Sequence, residues 1–563
     1  MLRCLVPLAA VGLAACAHNV DAPGSNGAQA AQVDPARAAA EPTISEATLK
    51  RVTRELSDDR FEGRAPATRG EELTVQYLIQ EFRQAGLQPG NNGSWTQDVP
   101  LVIATPNPTA IRITGGTSPV ELAYRADMVA NSYQVQPRID LSSSDVVFVG
   151  YGIRAPERGW DDYAGVDVRG KTVIILVNDP DWETPELKGP FGGRAMTYYG
   201  RWTYKYEEAA RQGAAAALIV HDTEPAAYPW SVVTSSYTGE QYRLDRPGGG
   251  ADQSKVIGWI TKDAARRLVM AGGQNLDQLV AAAKRPGFRG VPLPLKASMT
   301  LRQDLKRQPS KNVVALLRGR SRPEEYVVYT AHWDHFGRCD ADATGDDICN
   351  GAYDNATGTA GLVAVAEAHA EAGPSDRSIL FLAVTAEEFG LLGSQYYAEN
   401  PIYPLAKTVG GVNMDGLNIL GLTRDVVVTG SGKSELEETF RAEAQRLGLT
   451  VRPEPTPEKG FYYRSDHFSL AKVGVPMLYA ESGEDLVEGG TARGRAAAEA
   501  YTAQHYHKPS DEFDPNWNWS GALRDMGIYY RIGRQLAEGD TWPNWYPGDE
   551  FRAIRDRTAS ERR

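Results

Sequence analysis

Three short stretches in the second half of the chain are apolar without interruption: Tyr326–Ala331 (YVVYTA), Ile379–Val384 (ILFLAV) and, more weakly, Thr408–Asn413 (TVGGVN). Runs of this length, rich in β-branched and aromatic residues, predict strands buried on both faces. Between the first two, Thr357–Ala370 (TGTAGLVAVAEAHA) carries a helix pattern. Strand, helix, strand in that order predicts an α/β fold: a mainly parallel twisted sheet with helices on both faces. In such sheets ligands bind outside the carboxyl ends of the strands. His332 and Asp334 follow the first run, Glu387 and Glu388 the second, and Asp415 the third.

The same patterning organises the rest of the chain. Thr68 and Glu71 form a capping-box pattern ahead of Leu73, Tyr77, Leu78, Phe82 and Ala85 at helical spacing, with Gly86 as a stop. The preceding charged turn, Ser57–Arg64, reads as solvated or structural. Short apolar runs from Val99 to Val129 predict strands. Strand patterns at Val146–Gly150, Thr172–Val177 and Ala217–Val220 flank a helix pattern near Trp202–Gln212. Val291–Asp304 and Asn312–Leu317 read as strands that bring the chain back to the first sheet. An amphipathic stretch near Ala522–Leu536 precedes a polar tail. A length of 563 residues exceeds one ordinary domain. The expected division is 45–135 and 293–545 as one catalytic domain, 136–292 as a small insert and 546–563 as the tail.

Composition adds the compartment. Hydrophobic content of 42% supplies real cores, and the formal net charge is −12. An acidic chain with no basic run lacks the electrostatic footprint for nucleic acid. At the N-terminus, Arg3 precedes the apolar stretch Leu5–Leu13, too short to span a bilayer. It runs into Leu13–Cys16 (LAAC), which resembles a bacterial lipobox. That resemblance implies cleavage after residue 15 and a lipid anchor on Cys16, with Ala17 directing the protein to the outer membrane. An ordinary secretory signal is the alternative. Residues 16–44, rich in Ala, Pro and Gly, read as a tether. Cys339 and Cys349 share one loop in an oxidising compartment, where a disulfide is expected. Free thiols or soft metal ligands are the alternative.

The candidate chemistry is metal-dependent hydrolysis. His332–His335 (HWDH) offers H-x-D, and in extended chain residues i and i+2 point the same way. One His332 nitrogen can bind metal while the other donates to a carboxylate, for which Asp334 is the candidate. Asp354 opens a helix. It can cap that helix, or bridge two cations about 3.5–4 Å apart, a span one carboxylate covers. Adjacent Glu387 and Glu388 repel each other unless one binds metal and the other accepts a proton from water. His505 and His507 are both available further on. The acidic loop of Asp340, Asp342, Asp346 and Asp347 lacks the EF-hand order and reads as a solvated rim.

Together these pieces resemble the co-catalytic di-zinc aminopeptidase family, relatives of glutamate carboxypeptidase II, the transferrin receptor and the glutaminyl cyclases. The matching segments are 331–337 (AHWDHFG), 350–358 (NGAYDNATG), 385–390 (TAEEFG), 413–416 (NMDG), 465–467 (SDH) and 506–511 (YHKPSD). Residues 150–153 (GYGI), 162–165 (DYAG), 169–171 (RGK) and 214–220 (AAAALIV) resemble the protease-associated (PA) domain. The resemblance implies two zinc ions per chain. His332, Asp354 and Asp415 would hold one, Asp354 would bridge, and Glu388 and His507 would complete the other. Glu387 would be general base and acid toward a metal-bridged water, Asp334 a supporting carboxylate, and Tyr506 an aid to polarising the scissile carbonyl. A cis peptide is implied at Asp354–Asn355. Ser465–His467 would buttress the site, and His335 would be structural. The implied function is a zinc exopeptidase acting on peptides, an aminopeptidase by family majority. Carboxypeptidase or dipeptidase activity, a non-catalytic binding protein and a single-zinc cyclase stand as alternatives. Oligomeric state is not legible.

Overall fold

The computed structural model describes residues 43–562. The signal, tether and Cys16 expectations lie outside them. Among the described residues no helix is long and apolar enough to cross a membrane.

The three apolar runs form the centre of a nine-stranded sheet. Strand Arg322–His332 pairs in parallel with Arg377–Val384 on one side and Thr408–Asn413 on the other. Met477–Ser482 continues the parallel set, and Ser310–Leu317 adds an antiparallel strand. Side chains alternate between two cores. Val327, Tyr329, Ala331, Phe381 and Ala383 pack under helices Glu46–Leu56, Arg69–Gln84, Gly358–Glu371 and Ser520–Glu538. Val328, Leu380, Leu382 and Val384 pack on the other face with Tyr397 and Leu470. Helices therefore cover both faces, as the uninterrupted apolar runs require.

A second sheet, ten-stranded, follows the order 241–244, 101–108, 291–307, 138–148, 172–176, 216–221, 256–261, 128–131, with 111–115 attached at 291–307 and 120–122 paired to 111–115. This corrects the 136–292 boundary. The strands from Leu101 to Asn131 belong to the second sheet, and so does the whole of Val291–Arg307. The chain leaves the first sheet after Val99 and rejoins it at Ser310. The two crossings meet where Gln308 N–H donates to Leu101 O at 2.9 Å. The second sheet is fixed to the first domain by Arg246 on Glu399 (2.6 and 3.1 Å), Lys472 on Glu207 (2.6 Å) and the Tyr242–Phe389 ring pair (4.1 Å between centroids).

One further expectation is corrected, and two segments are placed. Thr68 makes no side-chain cap bond. Its hydroxyl instead donates to Ala65 O at 2.6 Å, and Glu71 accepts from Ala67 N–H and Ser310 Oγ, tying the helix start to the sheet. The tail from residue 546 is docked, because Phe551 is buried and Arg555 donates to the carbonyls of Thr408 and Val409, each at 2.8 Å. Of the two readings of the turn Ser57–Arg64, Arg64 takes the structural one, because it is fully buried.

Candidate metal centre

His332 is the last residue of its strand, Glu387 follows Val384 by three positions, and Asp415 follows Asn413 by two. Three neighbouring parallel strands thus end at one place. Asp354 reaches it from the turn Ala352–Thr357, ahead of helix Gly358–Glu371. His507 reaches it from the loop after helix Gly490–Gln504.

The distances divide these side chains into two groups that share Asp354. His332 Nε2 lies 3.2 Å from Asp415 Oδ1 and 3.4 Å from Asp354 Oδ1. His507 Nε2 lies 3.3 Å from Asp354 Oδ2 and 3.4 Å from Glu388 Oε2. Ligands bound tetrahedrally at about 2.0–2.1 Å stand about 3.3 Å apart. Each group has the edge length of such a tetrahedron, and Asp354 gives one oxygen to each.

Two features fit a cation. His507 Nε2 is buried with no hydrogen-bond partner while facing two carboxylate oxygens. Asp334, Asp354, Glu387, Glu388, Asp415 and Asp466 also crowd one region, and unpaired buried charge is strongly unfavourable. Burial, then Asp354 and Glu387, pushes the Glu388 carboxyl well above its ordinary range. Burial likewise raises Glu387, aided by Asp415, Asp466 and Asp354 and opposed by His332. Burial also opposes charge on Asp354, but hydrogen bonds with His332 and His507 overcome it and hold that carboxyl low. Positive ions between these groups would relieve the repulsion.

The surrounding contacts bear on what the sequence left open. His332 Nδ1 donates to the backbone carbonyl of Asp334 at 3.1 Å, whereas the Asp334 carboxylate stands 3.8 Å away. The carbonyl therefore orients the imidazole. The carboxylate instead accepts the Glu387 N–H at 3.1 Å and fixes the Glu387 loop. This corrects the role expected for Asp334. His335 is more than a structural residue, because its Nδ1 lies 2.5 Å from Glu388 Oε1. His335 thus lies with Asp354 and Glu388 in a cluster that could hold a metal ion, and its Nε2, like that of His507, has no hydrogen-bond partner. His505 is partly exposed, bonds Ser510 O through Nδ1 at 2.9 Å and, among the described residues, makes no ion pair with a carboxylate of the cluster. The Asp354–Asn355 peptide is cis. Asp511 accepts the N–H groups of Tyr353 and Asp354 at 3.0 and 3.1 Å, and Asn355 Oδ1 accepts those of Gly358 and Gly416, both at 3.0 Å. Ser465 Oγ donates to Asp415 Oδ2 at 2.6 Å, the buttressing expected of that segment. Glu387 Oε2 stands 4.0 Å from His332 Nε2, beside both ligand groups and outside them. Tyr506 is 45% exposed at the rim, its ring stacked on His507 at 3.6 Å.

Arg64 is the residue sequence reasoning missed. Its guanidinium donates to the carbonyls of Trp333 (2.8 Å), Leu56 (2.7 Å), Asn350 (2.5 Å) and Gly351 (2.9 Å). It clamps both backbone segments that carry His332 and Asp354. Only its place near the first helix hinted at this. Cys339 and Cys349 are disulfide-bonded beside the same loop. Asp342 accepts from Thr344 and Asp346, and Arg338 pairs with Asp347, so the acidic rim is occupied by its own turn.

Residues 312–530 match the model described as Peptidase family M28. "Leucine aminopeptidase 2" of Arthroderma otae is 26% identical over 276 residues, 47% of this chain and 50% of the relative. "Glutamate carboxypeptidase 2 homolog" of Caenorhabditis briggsae is 31% identical over 190 residues, 33% of this chain and 21% of the relative. The chain thus spans half or less of the length of these relatives. An aminopeptidase structure from Aneurinibacillus sp. strain AM-1 aligns over 90% of this chain and 95% of its own, at 19% identity and a TM-score of 0.45.

Proposed function

The stretch 312–530 belongs to peptidase family M28, and from that premise we propose that the protein is a zinc-dependent exopeptidase, acting as an aminopeptidase on the N-terminal residues of peptides. One observation carries the reading: Asp354 is shared between His332 with Asp415 and His507 with Glu388, while Glu387 stands alongside uncommitted. The donor set of two imidazoles and three carboxylates suits a pair of zinc ions. When bound, such a pair supplies Lewis acidity and lowers the pKa of its water from 15.7 toward about 7.

The chain's own groups do the rest. Glu387 accepts the proton of the attacking water and delivers it to the leaving amine. Its backbone N–H, held by Asp334, fixes where that carboxylate sits. The Asp334 carbonyl and His335 orient His332 and Glu388, as outer partners of metal ligands do. Tyr506 is placed at the mouth, where its hydroxyl meets the scissile carbonyl.

The aminopeptidase assignment draws on the Arthroderma relative, a leucine aminopeptidase; the Caenorhabditis relative keeps carboxypeptidase activity as the second reading. The complete ligand set and base speak against a non-catalytic binding protein. A panel of aminoacyl and N-blocked peptide reporters, with and without chelator, tests metal and end preference together. Free-amine reporters are expected to be cleaved, with activity lost on chelation and restored by zinc at two ions per chain. Cleavage that survives chelation would remove the proposal, and one zinc per active chain would favour the cyclase reading.

The insert, now 101–307, is proposed to be a PA-type domain on its motifs, and Cys16 to carry a lipid anchor at the outer membrane. Cys16→Ser is expected to move the protein from the membrane to the soluble fraction. Unchanged sedimentation with membranes would rule the anchor out.

A further inference from the structure

Four parallel strands end on the side of the metal centre, and three of them lead directly to its ligands or base: Arg322–His332, Arg377–Val384 and Thr408–Asn413. The fourth, Met477–Ser482, carries no residue of the metal-holding groups. It pairs with Thr408–Asn413 so that Asn413 stands opposite Tyr479, and Asn413 stands opposite Thr330 on its other side. Two residues further along, this register sets His332, Asp415 and Glu481 level with one another. Side chains alternate along a strand, so all three leave the sheet on the face that holds Val328 and Met477. Neighbouring strands stand about 5 Å apart, which puts Glu481 one strand from Asp415 and two from His332. Side-chain contacts keep that order past the last paired residues. The Tyr479 hydroxyl donates to Asp415 O at 3.4 Å, and Asn418 Nδ2 donates to Ser482 Oγ at 2.7 Å. Glu481 lies between these two ties.

Glu481 is exposed, whereas the metal-cluster side chains are buried or half-buried. Its Oε1 accepts from Thr429 Oγ1 at 3.4 Å, and it makes no ion pair among the described residues. Beside Thr429, the Gly430 N–H donates to Glu454 Oε2 at 3.0 Å. Glu454 Oε1 is buried without a partner, and Glu454 makes no ion pair among the described residues either. Two carboxylates are thus seated on adjacent residues of one turn, with no cation to balance them. Like charges held together raise each other's energy, and an arriving cation lowers it.

An aminopeptidase substrate brings the carbonyl of its first residue to the metal ions, so the side chain of that residue extends over the strand ends beside them. We propose that Glu481, backed by Glu454, receives a positively charged side chain there, so that the enzyme favours peptides beginning with lysine or arginine. The proposal rests on the aminopeptidase reading and deepens it by naming the substrate class. An open carboxylate suits an ammonium or a guanidinium. The strand end that carries it is fixed in advance, because Glu481 pairs with Val427 of the next strand and Ser482 Oγ donates to Asp525 Oδ2 at 2.6 Å.

The test compares kcat/KM for the 4-nitroanilides of lysine and norleucine, using the zinc-loaded full chain and its Glu481→Gln variant. Norleucine has the stem of lysine without the ammonium group. Wild type should prefer lysine by about tenfold or more, as a hydrogen bond to a charged group allows. In Glu481→Gln the ratio should fall toward one while zinc per chain stays at the wild-type level. No preference for lysine in wild type, or a preference that survives in the variant, overturns the proposal. So does an equal loss on both substrates, which would assign Glu481 to the α-ammonium or to the fold, and so does loss of zinc, which would make it a ligand. If wild type cleaves neither anilide, the aminopeptidase reading fails. Calorimetric titration of the zinc-loaded proteins with lysinamide and norleucinamide then reads Glu481 by itself. Tighter binding of lysinamide that Glu481→Gln abolishes upholds the assignment, and equal binding of the two by wild type overturns it.

Discussion

Glu387→Gln is expected to lower kcat by about 10²–10⁴-fold, the usual contribution of a positioned general base, while leaving zinc content at the wild-type level. The substitution keeps the shape of the side chain and removes its ability to take a proton. Glu387 stands outside both ligand groups, 4.0 Å from the His332 Nε2 that Asp354 and Asp415 approach at 3.4 and 3.2 Å. Metal retention should therefore be spared. The neighbouring Glu388→Gln should do the opposite and release metal, because Glu388 Oε2 lies in the His507 group and its Oε1 against His335. Metal per chain by elemental analysis, alongside kcat, separates the two. A Glu387→Gln enzyme of wild-type kcat would take the proton shuttle away from this residue. Loss of metal in that variant would make it a ligand instead.

Arg64→Met should be the most damaging single change outside the ligands. It leaves the carbonyls of Trp333, Leu56, Asn350 and Gly351 without their donor. A buried acceptor left unsatisfied costs about 1–3 kcal/mol. Met is easier to bury than a guanidinium, and its bulk refills much of the space, which offsets part of that loss. The expected net destabilisation is roughly 3–5 kcal/mol, within the range reserved for broken buried networks. Denaturant unfolding of the metal-free proteins measures it. Arg60→Met, in the same turn but with its side chain 53% exposed, should change stability by less than about 0.5 kcal/mol. The surviving Arg64→Met protein should also bind metal more weakly, since Asn350–Gly351 leads directly into Asp354 and Trp333 follows His332. Equal stability of the two variants would show that the clamp contributes nothing.

Much of the site was legible because its ligands stand at the ends of elements with strong patterns. His332, Glu387 and Asp415 each follow an apolar run, and those runs are the central parallel strands. Asp354 was found through a short motif. Arg64 was not found, since a charged residue in a polar turn looks solvated until its acceptors are known. Two of those acceptors lie nearly three hundred residues away.

Local sequence determined which segments become strand or helix, which face is apolar, and which side chains can bind metal, because periodicity and donor chemistry are properties of neighbours along the chain. Tertiary structure alone decided the rest. Strands Leu101–Asn131 joined the second sheet because their hydrogen-bond partners are there. His507 reached Asp354 and Glu388, while His505 stayed partly exposed with its Nδ1 on Ser510 O. The Asp334 carbonyl, not its carboxylate, came within reach of His332. The strands paired with partners far along the chain and the histidines chose among near neighbours, and both choices are resolved only when the chain is folded.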